Sequence, residues 1–299
     1  MRRMVSITSL ALALGLATTA AATASATAKG GRWIVFSATA PGGITAQLFR
    51  IQPSGEGLKR LTTGSYSSLA PNFSADGKRI VFARAGVGIL TVNLDGTGLH
   101  RLTKNGRDSY PTWSPDGKQI AFVRPFKDGW KLHVMTSSGA AERPLRKAPP
   151  SGRPTWTAAG ILIPSGGDLL KIDPTTGHVL KYYDAPVDPI WGMNSVALSP
   201  NHSTITYVGA RSSEPGDMEC GEGPCQRFAL YKESIIGKNK KPQRVVKDGG
   251  PATFAPNGKQ LAFVSNGGLT LWSLTAGKPT HVSTGDAYPT VSAPPAWQP

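Results

Sequence analysis

One hairpin, written three times along the chain, constrains the fold more than any other feature. Its fullest copy runs Tyr110-Pro111-Thr112-Trp113-Ser114-Pro115-Asp116-Gly117-Lys118-Gln119-Ile120-Ala121-Phe122-Val123: a short strand, a tight turn, and a second strand with an apolar centre. Asp at the head of such a turn can bond its own backbone. Gly accepts the left-handed conformation that a residue with a Cβ resists. The pattern recurs upstream as Pro71-Asn72-Phe73-Ser74-Ala75-Asp76-Gly77-Lys78-Arg79-Ile80-Val81-Phe82. Downstream it recurs as Thr253-Phe254-Ala255-Pro256-Asn257-Gly258-Lys259-Gln260-Leu261-Ala262-Phe263. Asp76, Gly77, Asp116, Gly117, Asn257 and Gly258 are therefore read as structural turn residues. Fainter copies stand at Pro154-Thr155-Trp156 and at Val196-Ala197-Leu198-Ser199-Pro200-Asn201.

The spacing of the copies turns a motif into an architecture. Phe73, Trp113, Trp156, Leu198, Phe254 and Trp297 occupy equivalent places, at intervals of 40, 43, 42, 56 and 43 residues. A period near 42 with four short strands per unit is the signature of a β-propeller blade. The second unit divides into strands a to d over residues 71–74, 79–83, 89–94 and 100–103. The c-to-d turns carry Gly in Asp95-Gly96, Ser138-Gly139, Thr176-Gly177 and Ala276-Gly277, and strand d repeats as Arg60-Leu61-Thr62 and Arg101-Leu102-Thr103. Helical periodicity is not sustained anywhere beyond the first residues, so the chain is expected to be all-β.

The ends predict how the ring closes. Arg32-Trp33-Ile34-Val35-Phe36-Ser37 matches a strand b with no strand a before it, and Pro295-Ala296-Trp297-Gln298-Pro299 matches a strand a with no strand b after it. Together they make one blade, giving six. Closure of this kind buries the two edges that an open array would expose.

Residues 1–28 read as a secretory signal, with Arg2 and Arg3, an apolar run at 10–16 and small residues at 24–28; no membrane segment is expected once it is removed. The remainder, 29–299, is expected to form the propeller. The formal net charge is +15, of which Arg2 and Arg3 supply two, leaving +13. A basic exported protein suits anionic neighbours such as cell-wall polymers, and no nucleic-acid-binding motif is present. The 56-residue interval holds an insertion at 212–226 with Cys220 and Cys225, expected to pair in an oxidising compartment.

On the Trp-Ser-Pro-Asp-Gly-Lys form at Trp113 to Lys118 and its repeats, the chain resembles the TolB-like six-bladed propellers built from PD40 repeats. The propeller part of the dipeptidyl peptidase and prolyl oligopeptidase families is similar too. The resemblance covers the whole mature chain and implies a propeller with a docking style. The α/β domain preceding the TolB propeller and the hydrolase domain of the peptidases find no matching residues.

Catalytic signatures are sparse. Gly-x-Ser-x-Gly is absent, Ser74-Ala75-Asp76-Gly77 only imitates a sialidase box, and the five histidines show no ligand spacing. No metal or cofactor is expected. In a propeller, b-to-c loops and d-to-a connections share the face at the channel mouth. That face is expected to receive Tyr66, Asp108 and Tyr110; Phe126, Asp128 and Trp130; Arg153, Asp188, Trp191 and Asn194; and Arg211, Met218 and Tyr288. Lys78, Lys118 and Lys259 should lie on the opposite face. The function expected is that of an exported scaffold, secreted or periplasmic and monomeric. It binds a protein or peptide of the cell envelope through the mouth face, with an anionic wall polymer as a further partner. The rival reading is a lyase or hydrolase acting on an acidic polysaccharide at the channel mouth. Small, uncharged channel positions (Asn72, Thr112, Thr155, Thr253, Ala296) weigh against it.

Overall fold

In the computed structural model, residues 32–146, 152–165, 168–183, 195–209, 229–235, 242–247, 249–290 and 294–299 are described. The signal and the insertion with Cys220 and Cys225 lie outside them. The described residues fold as six antiparallel sheets arranged as a β-propeller, without a helix.

Blade 2 shows the plan: strand a at Ser68–Phe73, b at Arg79–Arg84, c at Gly88–Asn93 and d at His100–Arg101. Blade 3 follows with Ser109–Trp113, Gln119–Phe126, Gly129–Thr136 and Arg143–Arg146. Blade 4 spans Thr155–Thr157, Gly160–Ser165, Asp168–Ile172 and Val179–Tyr183. Blade 5 spans Val196–Leu198, Thr204–Gly209, Ala229–Ser234 and Gln243–Lys247. Blade 6 spans Thr253–Phe254, Gln260–Ser265, Gly268–Ser273 and Lys278–Val282.

Strand b reads as an unbroken apolar run because it is buried on both faces. Successive side chains of a strand point to opposite sides, so each b strand feeds two interfaces. Ile80 and Phe82 pack toward blade 1 with Val35 and Leu48, whereas Val81 and Ala83 pack toward blade 3 with Trp113 and Phe122. Ile34 and Phe36 meet Leu269 and Leu271 of blade 6. Six clusters result, one at each blade-to-blade interface, and the last joins blade 6 to blade 1. Full burial of one such Phe or Ile contributes about 2 kcal/mol.

Blade 1 is completed from both ends of the chain. Its strands b, c and d are Ile34–Thr39, Ala46–Ile51 and Lys59–Arg60. Ala296–Trp297 fills the inner position as expected, with Trp297 opposite Ile34 and Ala296 opposite Val35. A second piece, Tyr288–Pro289, pairs with Thr39 and Ala38. The inner strand is therefore split, with residues 290–295 between its halves. Blades 2 and 3 show a milder break at the same place: Ala70-Pro71 and Tyr110-Pro111 bulge opposite a single residue, and Ala70 and Tyr110 both have φ of 53°. Proline donates nothing to the ladder, so a bulge loses no bond there. Gln298 fastens the closure. Its amide N–H donates to the Trp33 carbonyl (2.8 Å), its Oε1 accepts from the Trp33 N–H (3.0 Å), and its Nε2 donates to the Gly77 carbonyl in blade 2 (3.0 Å).

The a-to-b turns hold as read. Asp116 Oδ1 accepts from Ser114 Oγ at 2.6 Å and from the Lys118 N–H at 3.0 Å, and Asp76 repeats both bonds with Ser74 and Lys78. The Ser hydroxyl first, then the backbone N–H, holds each carboxyl below its ordinary value. Asn257 Oδ1 accepts from the Lys259 N–H at 2.9 Å. Gly77, Gly117 and Gly258 have φ of 67°, 69° and 68°.

The c-to-d turns and the strand-d leucines turn out to be one feature. Three of the four turn glycines, Gly96, Gly139 and Gly177, rest on the d-strand segment of the preceding blade. A Cβ on Gly96 would stand 3.3 Å from the Leu61 carbonyl oxygen, on Gly139 2.9 Å from that of Leu102, and on Gly177 1.8 Å from that of Leu145. Gly277 would meet nothing within 4 Å. All four have positive φ, so alanine costs each about 1 kcal/mol in backbone strain. The collision adds to that in proportion to closeness. Gly177→Ala is expected to lose the most stability in urea, roughly 3 kcal/mol or more, followed by Gly139→Ala and Gly96→Ala, with Gly277→Ala the mildest. Equal losses at all four positions would dissociate the turns from blade docking.

Candidate binding surfaces

Two concave or exposed features stand out, at opposite ends of the ring. The first is the central channel. Its described cavity is about 440 Å³ and is walled by the innermost strand of every blade, with Asn72, Thr112, Thr155, Thr253 and Ala296 all in the lining. The lining also runs down to Ser74, Ala75, Ser114, Pro115, Pro200 and Pro299, so this cavity occupies the half of the channel next to the a-to-b turns. Arg153 is the one charged side chain in the lining. It is 7% exposed, and its Nη2 donates to the Pro71 carbonyl of blade 2 at 3.1 Å.

The second feature is the face carrying the b-to-c loops and d-to-a connections. Five large apolar side chains stand exposed there: Ile44 in the b-to-c loop of blade 1, Tyr66 on the connection into blade 2, Tyr288 at the start of the split inner strand of blade 1, and Phe126 and Trp130 flanking the b-to-c turn of blade 3. Tyr66 lies against Gly86, whose b-to-c turn it overhangs. Phe126 stacks on His133 with ring centroids 5.8 Å apart at 10°, and Phe122 packs against the same imidazole at 5.4 Å.

Beside Phe126 lies a partly buried ionic cluster. Arg124 at the end of strand b grips Asp108 with two bonds, Nε to Oδ1 at 2.6 Å and Nη2 to Oδ2 at 2.8 Å. Its Nη1 also donates to Glu142, whose Oε1 stands 3.2 Å from His133 Nδ1. The carboxylate of Asp108, then that of Glu142, raises the guanidinium above its ordinary value against the effect of burial. Burial, reinforced by the Arg124 charge, lowers His133, so its imidazole is neutral at pH 7. With His133 neutral, the one guanidinium is shared by two carboxylates, and the arrangement acts as a brace between strands b and c, the start of strand d and the incoming connection.

The family comparison accords with this geometry. A family model described as the TolB beta propeller domain, PD40, matches residues 12–159. The crystal structure of TolB from Acinetobacter baumannii superposes with a TM-score of 0.69 over 90% of this chain and 67% of its own, at 17% identity. Residues 12–159 thus match the TolB beta propeller family, and the described residues share the six-bladed TolB-like fold. Among curated proteins, the Tol-Pal system protein TolB of Rhizorhabdus wittichii is 36% identical over 80 residues, 26% of this chain and 17% of its own length. Dipeptidyl-peptidase 5 of Porphyromonas gingivalis is 24% identical over 271 residues, 80% of this chain and 37% of its own length. The TolB-like propeller thus spans well under half the length of these curated relatives.

The residues expected at the mouth of the TolB-like propeller separate into three groups. Tyr66, Phe126, Trp130 and Tyr288 are exposed on that face. Asp128 joins them, pairing with Lys131 at 3.1 Å, while Lys131 Nζ lies over the Phe126 ring at 4.2 Å. Asp108, Tyr110 and Arg153 are instead withdrawn. Asp108 is buried because Arg124 takes both its oxygens, Tyr110 packs between blades 3 and 4, and Arg153 turns into the channel. Asp188, Trp191, Asn194, Arg211, Met218, Cys220 and Cys225 lie outside the described residues. Reading by sequence missed Ile44, 96% exposed, and the Arg124 brace. A signal for the brace existed: Arg84 ends strand b of blade 2 at the place of Arg124, and its Nε reaches Ser68, at the place of Asp108, at 3.2 Å.

Proposed function

We propose that the TolB-like propeller is an exported, non-catalytic binding scaffold that docks a protein or peptide of the cell envelope on its b-to-c face. One observation carries this reading. Of the nine exposed large hydrophobic side chains among the described residues, five (Ile44, Tyr66, Phe126, Trp130 and Tyr288) share the b-to-c face, whereas Leu58 and Leu99 stand in c-to-d turns and Leu180 and Tyr182 on the outer strand of blade 4. The family supports it: a TolB relative is by name a component of the Tol-Pal system. Asp188, Trp191, Asn194, Arg211 and Met218 belong to the same proposed surface. The Cys220/Cys225 pairing would stiffen the acidic insertion and so reduce the entropy lost on docking.

The test is retention of envelope proteins by the immobilised mature chain, quantified by mass spectrometry. Tyr66→Ser, Trp130→Ser and Tyr288→Ser combined should reduce retention of the specific partner about tenfold or more. Melting should stay within a few degrees, because all three are exposed. Changing Lys78, Lys118 and Lys259 to Gln on the opposite face should leave retention intact. Unchanged retention by the aromatic triple variant would reject the face.

A further inference from the structure

A cation buried without a counter-charge is costly, and proteins pair or coordinate it. Arg153 departs from that rule. Of its five N–H donors, one is seen bonded among the described residues, from Nη2 to the Pro71 carbonyl. No Asp or Glu occurs among the residues lining the cavity beside it. Arg153 is itself among the residues lining the channel cavity while 7% exposed, so its side chain borders that cavity. Burial draws the guanidinium down to about 10, against a smaller effect of Tyr110, and it remains cationic at neutral pH.

The surroundings limit what would satisfy it. The cavity of about 440 Å³ excludes a folded partner but accommodates a small molecule. Asn72, Thr112 and Ser195 are the small polar neighbours in the lining, and Trp156, Phe254 and Trp297 supply apolar wall. We propose that the channel of this propeller is a receptor site for a small organic carboxylate, whose carboxylate pairs with Arg153 and whose apolar body lies among the inner-strand side chains. A carboxylate matches the planar guanidinium fork and carries the single negative charge that one arginine neutralises. A phosphate dianion would demand a second cation, and the described lining contains none. Apolar walls give the body of the ligand the burial that a free inorganic anion would forgo. The site lies toward the a-to-b turns and does not rest on the docking face proposed above.

The experiment is calorimetric titration of the purified mature protein, with fluorescence of Trp113, Trp156 and Trp297 in the channel wall as second readout. The probes are N-acetylphenylalanine and N-acetylphenylalanine amide, alike except for the carboxylate, with benzoate, inorganic phosphate and sodium chloride alongside. The acid and benzoate should bind saturably and compete, and the acid should bind about tenfold or more tightly than the amide. Arg153→Met fills similar volume without charge and should erase that preference while keeping the melting transition. Arg153→Lys should keep part of it. The acid-to-amide comparison in the unaltered protein stands even if Arg153→Met fails to fold. Equal binding of acid and amide, retention of the preference by a folded Arg153→Met, or absence of saturable binding by either acid would overturn the proposal. So would an equal response to phosphate or chloride, which would make the guanidinium the holder of a counter-ion only.

Discussion

Removing residues 294–299 should open the ring and lower the melting temperature by roughly 10 °C or more, or leave the chain aggregated. The deletion removes the pairing of Trp297 and Ala296 with Ile34 and Val35, the three bonds of Gln298, and the packing of Trp297 against the interface of blades 6 and 1. Losing a packed Trp costs about 3–5 kcal/mol, and in a domain of this size each kcal/mol lowers the midpoint by about 2–4 °C. The newly exposed inner edge of blade 1 would add a tendency to pair with other chains. Trp297→Ala should deliver much of the loss, and Gln298→Ala about 1 kcal/mol through its hydrogen bonds. Calorimetry of the three variants distinguishes strand pairing from side-chain packing. A truncated protein melting like the parent would mean that Tyr288–Pro289 alone closes the blade.

Arg124→Ala should be nearly as damaging. It leaves the Asp108 carboxylate, whose side chain has no solvent exposure, without its partner. Breaking a buried ion pair from one side costs about 3–5 kcal/mol, because the remaining charge stays desolvated. Replacing both partners, Arg124→Met with Asp108→Leu, should recover a large part of the loss, since paired burial of charge is itself expensive. Urea denaturation of the cycle measures the coupling. Additive losses would show that Asp108 finds another partner. The point bears on function as well. Asp108 lies on a connection of the docking face, and a binding defect in an Asp108 variant means nothing until its stability is known.

Much of this fold was legible because repeats expose what every blade needs internally. The turn at Ser114-Pro115-Asp116-Gly117 and the two-sided apolar run of strand b recur for reasons local to one hairpin. The half-blades at the two ends followed from the same register. Relations between blades were far less legible. Gly139 and Leu102 each belonged to a recognised echo, yet nothing local shows that the first rests on the second. Tyr288–Pro289 escaped because the inner strand of blade 1 is split in two, and only its second piece, Ala296–Trp297, repeats the strand-a pattern. Among candidate site residues, loop position picked out Tyr66, Trp130 and Tyr288, which are exposed. It could not tell Asp108 and Arg153 from them, because a connection's place in the chain does not say which way its side chain turns. Asp108 turns inward for Arg124, and Arg153 for the channel.

Site-directed photo-crosslinking tests the central claim, that one face of this propeller docks a protein, most directly. A photoreactive residue would be placed at Trp130 on the b-to-c face or at Lys259 on the a-to-b turns, and each protein exposed to envelope extract under identical illumination. The account predicts a discrete adduct from position 130 that excess unlabelled protein competes away, and none from position 259. Adducts of equal yield from both positions, or an adduct from position 259 alone, would contradict it.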